Sequence, residues 1–356
     1  MSQTARNKLQ ELINNGRENA QEALQRVQES QPKDYLAPTT EIVYSHAPVA
    51  ERVQMGFPFK GDQVGFNLHR HAMQQCTEKV GLQRKFVDTL SSTNWGRDLL
   101  VHNLNTLYGH RDASRHLIRT VGGEVRGFLS DKYRRLDTPL CVEAFIESVQ
   151  KFNAVPTWSR CMDTKFAIQV GLTDIVEPFP GEPMIVGMAM SNSDFGDGAF
   201  SLRQVFIRLT CLNGMTGTEA LRKVHLGSRI PDDVEASDET HRLDNEALAS
   251  LTRDVVEAQF KPEKVKENLD RLKACSEEKV NLKEALEELR KNSKINKSEM
   301  DKIVEVFNMG GVEELPPGNT KWRFSNAISW FAKSDDVDDH RRLELESLAG
   351  EVAGLN

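Results

Sequence analysis

Apolar residues recur at three- and four-residue steps near the start of the chain: Leu9, Leu12 and Ile13, then Ala20, Ala23, Leu24 and Val27. That period predicts one or two amphipathic helices over residues 2–30, interrupted by Asn14, Asn15 and Gly16. The Gln-rich opposite face suggests an exposed arm or an oligomerisation element. Pro32 and the stretch Ala37–Thr40 read as a linker. Residues 41–75 look like strands and turns, with aromatics between glycines over Met55–Phe59 and Val64–Leu68. Helical spacing returns over 70–90 and, past a break at Thr93–Gly96, over 98–108.

His116–Val121 alternates like a strand, and Gly122-Gly123 suits a tight reversal with positive φ. Val142, Phe145, Ile146 and Val149 predict a helix over 138–153. Residues 154–215 read as mostly β: Trp158–Met162, Lys165–Val170, Pro183–Met190 and Ala199–Cys211. SNSDFGDG at 191–198 is rich in turn residues and predicts a hairpin between the last two runs. Asn213–Gly217 closes that region. From residue 231 to 310 aromatics nearly vanish, Asp, Glu and Lys dominate, and helical periods return. Asn296 with Glu299 three residues on has the form of a capping box, and the helix it opens should stop at Gly310-Gly311. Trp322, Phe324, Ala327, Ile328 and Phe331 mark one final helix, and Arg341–Val352 another.

These elements predict an α+β fold, a mixed core of antiparallel hairpins packed by helices. The expected layout is a helical arm at 1–32, a core at 40–230, a charged helical insertion at 231–315 and C-terminal helices at 316–356 returning to the core.

Composition narrows the function classes. No stretch of the 356 residues approaches the ~18–20 apolar positions of a membrane helix, so no membrane partner is expected. The opening residues are polar and helical in character, unlike a secretory signal. Cys76, Cys141, Cys161, Cys211 and Cys275 are odd in number, widely spaced and form no CxxC pair, which fits reduced thiols in a cytoplasm. Net charge is −7, but it is uneven. Residues 60–135 carry 13 Lys/Arg against 7 Asp/Glu, and residues 231–301 carry 13 against 19. A basic centre beside an acidic helical segment is a pattern that a local anion-binding surface can produce.

The densest basic run is 126–137, RGFLSDKYRRLD. Cations neutralise phosphates and an aromatic stacks a base, so Arg126, Lys132, Tyr133, Arg134 and Arg135 are candidates for nucleic-acid contact. A solvated helix end, with arginines paired to Asp131 and Asp137, is the plainer alternative. Arg203 and Arg208 stand five apart and face opposite sides of a regular strand. Arg208, amid Phe206, Ile207 and Leu209, reads as a buried charge needing Asp194 or Glu182 as partner. His69 and His71 would share a face on a strand, a two-ligand start for a metal site without an identifiable third. Asp194 and Asp197 read as turn residues before cation ligands. No nucleophile elbow, phosphate loop or zinc-protease motif occurs, and no cofactor is implied.

Four segments together resemble the phage/plasmid-like protein family (domain of unknown function 932). They are RGFLSDKYRRLD at 126–137, Gly181-Glu182, the glycine-bounded hairpin at 188–215 ending in Cys211-x-Asn213-Gly214, and NTKWRFSNAISWFAK at 319–333 before ELESLAGEV. The likeness runs from about residue 40 to the C-terminus and is weakest over 231–310. It implies a bacterial mobile-element setting and no defined chemistry. The expected function is therefore non-enzymatic nucleic-acid binding, of DNA single strands during replication or recombination, by a chain expected to form homo-oligomers. Arg111, Arg115, Arg119, Arg126, Lys132, Arg134, Arg135, Arg222, Lys223 and Arg229 would meet phosphates, and Tyr133 or Trp95 would stack. Two alternatives stand beside it. One is a metal-dependent nuclease using His69, His71, Asp131 and Asp194. The other is a scaffold that binds protein through its N-terminal arm and acidic segment.

Overall fold

The computed structural model describes residues 3–47, 51–112, 114–223, 237–310 and 315–355. The chain opens with helix α1 (Gln3–Glu29), followed by strands β1 (Lys33–Pro38), β2 (Val43–Ala47), β3 (Arg52–Phe59) and β4 (Asp62–Leu68). Helices α2 (Arg70–Lys79), α3 (Arg84–Ser91) and α4 (Asn94–Gly109) lead to strands β5 (Arg115–Val121) and β6 (Glu124–Ser130). Helix α5 (Thr138–Gln150) precedes β7 (Val155–Cys161), β8 (Phe166–Val176), β9 (Met184–Asn192), β10 (Phe200–Arg208) and β11 (Gly214–Lys223). The remainder is helical: α6 (Asp238–Gln259), α7 (Pro262–Glu277), α8 (Leu282–Lys291), α9 (Lys297–Asn308), α10 (Lys321–Phe331) and α11 (Asp339–Val352). The fold is α+β, and no helix among the described residues is long and apolar enough to cross a membrane.

Two sheets organise the molecule. The first runs β1-β5-β6-β4-β3-β2, antiparallel except where β4 meets β6. The second is the antiparallel meander β7-β8-β9-β10-β11. Local chemistry accounts for the two hairpins expected from sequence. Gly122 and Gly123 both have positive φ, and Val121 pairs Glu124 across them. The 191–198 turn joins β9 to β10 with Ser191 opposite Ser201. One face of the first sheet buries Met55, Phe57, Ile118 and Phe128 against Cys76, Leu90, Leu100 and Leu104 of α2–α4. The second sheet is covered at one end by α5 and α6, through Phe145, Leu248 and Phe260, and at the other by α7–α11.

Three expectations need correction. α1 is one continuous helix and not an exposed arm: Ala5, Leu12, Ile13, Gly16, Ala20, Ala23 and Val27 are buried. The helix continues through Gly16 because glycine is what allows it to cross β7. A Cβ there would overlap the Pro156 carbonyl and lie 2.7 Å from the Thr157 Cα. Gly16→Ala is therefore expected to lower stability by about 1–3 kcal/mol despite alanine's better helix propensity, read as a lower urea midpoint. The 32–40 linker contains strand β1, paired with β5 from Lys33↔Thr120 to Pro38↔Arg115. The residues after Cys211 do not end the β region: Gly214–Lys223 adds β11 beside β10.

The charged segment does form helices, and the Asn296–Glu299 capping box is present. Its apolar stripes are not a free surface. Leu272, Leu286, Leu289, Ile303 and Phe307 share one core with Met184, Val186, Phe206 and Trp322. Gly311 and the first part of the expected insertion lie outside the described residues.

Candidate functional site: the seam between the sheets

Arg119 explains how the sheets are joined. It sits on β5 on the face opposite the first core, and it is 1% exposed. Its Nε donates to Asp34 Oδ1 (2.8 Å), its Nη2 to Asp137 Oδ1 (2.7 Å) and its Nη1 to the Asp194 carbonyl (2.9 Å). Asp194 comes from the β9–β10 turn, so one guanidinium ties that turn to β1, β5 and the start of α5. The Asp194 carboxylate accepts from the Thr138 N–H and hydroxyl, both at 2.8 Å. Burial, reinforced by the charge of Asp137, raises its pKa from the ordinary 3.8 to about 6, against the lowering by Arg119 and Thr138. The turn is held on its other side too. Gln75 Nε2 and His71 Nε2 donate to the Phe195 carbonyl at 2.8 and 3.0 Å, and the Tyr133 hydroxyl donates to the Ser193 carbonyl at 3.0 Å.

A second buried node lies in the other core. Arg208 meets Glu182 through Nε–Oε2 (2.6 Å) and Nη2–Oε1 (2.8 Å), and its Nη1 donates to Asn326 Oδ1 (3.0 Å) and contacts Cys211 Sγ (3.5 Å). The Trp322 ring lies 5.7 Å from the guanidinium carbon. Of the two partners expected for Arg208, Glu182 is the one found.

The expected phosphate-binding set is divided by these nodes. Arg119 is consumed by the seam, and Tyr133, half-buried with its hydroxyl anchored, does not offer a free ring for stacking. Arg134 pairs with Asp244 of α6, Arg135 with Asp34 (3.3 Å), and Arg222 with Glu219 (3.6 Å). Arg126 donates to the Asp163 carbonyl (3.1 Å), and Arg111 donates to the Lys79 carbonyl. Arg115 is exposed at the start of β5, Lys132 sits in the turn after β6, and Lys223 ends β11 opposite Phe200. Arg229 lies outside the described residues. Trp95 is 66% exposed in the first turn of α4. Among the described members of the set, only Arg222 lines any of the clefts described below.

The histidine pair also departs from expectation, because it opens helix α2 instead of lying on a strand. His69 is the N-cap, and its Nδ1 accepts from the His71 N–H at 3.2 Å. Burial lowers the His69 pKa, partly offset by Asp163. With His71 Nε2 turned to the Phe195 carbonyl and the Asp194 carboxylate to Thr138, the four residues of the nuclease alternative do not converge. Among the described residues no group of three or more His, Cys, Asp or Glu side chains could hold a metal ion.

The surface does carry a groove, but other residues line it. A cleft of about 220 Å³ beside α2 and α3 is lined by Arg52, Arg70, Arg84, Arg97 and Asp88. It shares Arg70, Gln74 and Arg84 with a wider, open cleft of about 660 Å³. The far walls of the wider cleft are Arg26 of α1, Arg160 of β7, the 161–164 turn and residues 338–340 at the start of α11. Arg97 of α4 lines the smaller cleft, and Trp95, two residues before it, points to the other side of the helix. Four of the groove's arginines are held loosely: Arg70–Asp88 at 3.6 Å, Arg84–Asp88 at 3.8 Å, Arg26–Glu22 at 3.5 Å and Arg160–Asp339 at 3.4 Å, whereas Arg52 pairs closely with Glu124 and the buried Arg97 donates to the Ser91 carbonyl and Asn94 Oδ1. The sequence signalled only a basic balance over 60–135, which holds Arg70 and Arg84; nothing local tied these to Arg26 and Arg160, which stand on α1 and β7.

No family model, no curated protein and no solved structure matches the chain.

Proposed function

We propose that the chain is a non-enzymatic nucleic-acid-binding protein of a phage, prophage or plasmid, and that a single strand lies along the two joined clefts. The observation that carries this reading is the contrast between buried and exposed arginines. Arg119 and Arg208 have their partners inside the protein, where exchange for a phosphate would strand a buried carboxylate. Arg26, Arg70, Arg84 and Arg160 have long, solvent-exposed pairs, each worth only ~0–1 kcal/mol, so a phosphate can replace the carboxylate at little cost. Trp95, exposed on α4 and outside the lining of the clefts, offers a ring for base stacking beyond them. Asp163, Asp197, Asp338 and Asp339 share the wider cleft and weaken its field, so affinity is expected to be modest. The resemblance of the four sequence segments supplies the mobile-element setting. The free thiols of all five cysteines fit a reducing bacterial cytoplasm.

The test is a titration of labelled single- and double-stranded oligonucleotides at several salt concentrations. With four phosphate contacts, a log–log salt slope of about −3 is expected for single strands. Replacing Arg70 and Arg160 by Glu should weaken binding by more than about tenfold. Binding that ignores salt, or survives the double replacement, would sink the reading.

A protein-interaction scaffold is the second reading. It is favoured by Leu243 and Leu251, which are 52% and 38% exposed and eight residues apart on α6 of the acidic segment.

A further inference from the structure

A third cleft, of about 330 Å³, lies over the second sheet and meets the groove at His340. Its floor is one face of β8, β9 and β10, and its wall is α11 through Leu343, Glu344 and Ser347. Strand register orders its polar groups. Arg222 stands opposite Ser201, Ser201 opposite Ser191, and Ser191 opposite Ala167. Lys165, two residues before Ala167 and lining the same cleft, completes a row across four strands.

Charge is unevenly satisfied in that row. Glu219 serves two guanidinium groups, Arg203 at 3.0 Å and Arg222 at 3.6 Å. The half-buried Lys165 ammonium has no carboxylate at ion-pair distance among the described residues. Ser191 and Ser201 place their hydroxyls 3.1 Å apart in the same cleft. The opposite end of the cleft holds a second unsatisfied group. Thr216 is 4% exposed, and its hydroxyl has no hydrogen-bond partner among the described residues. Thr216 pairs with Val205, four residues along β10 from Ser201, which is about 13 Å at ~3.3 Å per residue. Ala167, Ala189 and Leu343 give the space between an apolar lining, while Ile168 and Met190 turn into the core beneath the sheet.

We propose that this cleft binds a nucleoside monophosphate. The phosphomonoester would sit against Lys165, Arg222 and the two serine hydroxyls, and a polar group of the nucleoside would reach Thr216. A phosphomonoester dianion has three terminal oxygens to occupy the ammonium, the guanidinium and the hydroxyls together, whereas a carboxylate has two. The volume falls within the ~300–1,000 Å³ of small-molecule sites. The proposal does not depend on strand binding in the neighbouring groove. The same chemistry is offered by a free nucleotide and by the 5′-phosphate end of a strand.

Isothermal titration of the full chain with adenosine 5′-monophosphate, adenosine and inorganic phosphate tests it. The nucleotide should bind more tightly than either fragment. Lys165→Met should weaken nucleotide and phosphate alike, by about tenfold, and Lys165→Arg should restore both. Thr216→Val should weaken the nucleotide but not phosphate. An oligonucleotide and its 5′-phosphorylated twin, in competition, separate the two sources. Tighter binding of the phosphorylated twin without binding of the free nucleotide assigns the site to strand ends. Strand binding with no gain from a 5′-phosphate and no nucleotide binding would overturn the inference and leave the groove reading intact. Nucleotide binding without strand binding would do the reverse.

Discussion

Arg208→Met is expected to lower the stability of the second sheet's core by about 3–5 kcal/mol, read as a fall in the urea unfolding midpoint. The reason lies in what the substitution leaves behind. Arg208 and Glu182 are 2% and 7% exposed, and their two short hydrogen bonds satisfy both carboxylate oxygens. Methionine fills the volume but donates nothing, so Glu182 would stay buried, charged and unpaired. Asn326 Oδ1 would lose its donor at the same time. The companion experiment is Arg208→Met with Glu182→Leu. With both charges gone the desolvation cost disappears, and the double variant should recover most of the loss. Equal losses in the single and double variants would mean that the guanidinium acts by packing on Trp322 alone, and the ion-pair account would fail.

This node also gives a physical reason for the sequence motifs. Gly181-Glu182, the Cys211-x-Asn213-Gly214 segment and the Trp322–Asn326 stretch are far apart in the chain, yet Glu182, Cys211, Trp322 and Asn326 all surround one guanidinium. A buried charge imposes partners of fixed type and geometry on segments that lie far apart in the chain.

Local chemistry was legible in the sequence and long-range pairing was not. Strand alternation and turn residues located the β5–β6 and β9–β10 hairpins, because period and φ requirements act within a few residues. The capping box at Asn296 is equally local. Gly16 was misread because the same residue can end a helix or let one cross a strand, and only the position of Pro156 decides. The basic run at 126–137 was misread for a related reason. Cation density says nothing about Asp34 and Asp244, which lie about a hundred residues to either side and pair with Arg135 and Arg134. The groove arginines are the converse case: each is unremarkable in sequence, and only the fold brings them to one surface.

Arg119→Met should cost a similar ~3–5 kcal/mol, with a pH dependence set by the Asp194 carboxyl beside it. Arg119 is the counter-charge for Asp34 and Asp137, and Asp34 also pairs with Arg135 at 3.3 Å. The Asp194 carboxyl beside it already has its pKa raised from 3.8 to about 6. In the folded state Asp194 therefore holds a proton over a range in which the unfolded chain has released it. Stability from this group falls as pH rises through that window, and the full cost is present above it. Arg119 limits that cost, because its charge is one of the influences that lower the Asp194 pKa. Removing it moves the carboxyl further up and leaves Asp137 and Asp194 to repel each other. The deficit of the variant relative to the native chain should then be largest near about pH 8 and shrink toward about pH 5, as Asp194 takes up its proton. Adding Asp194→Asn to Arg119→Met should flatten the difference, because the titrating group is gone while Thr138 keeps an oxygen acceptor. Urea midpoints of the native chain and both variants across that range decide it. A deficit constant with pH would show that the guanidinium clamps the β9–β10 turn by geometry, through its bond to the Asp194 carbonyl, and not by charge.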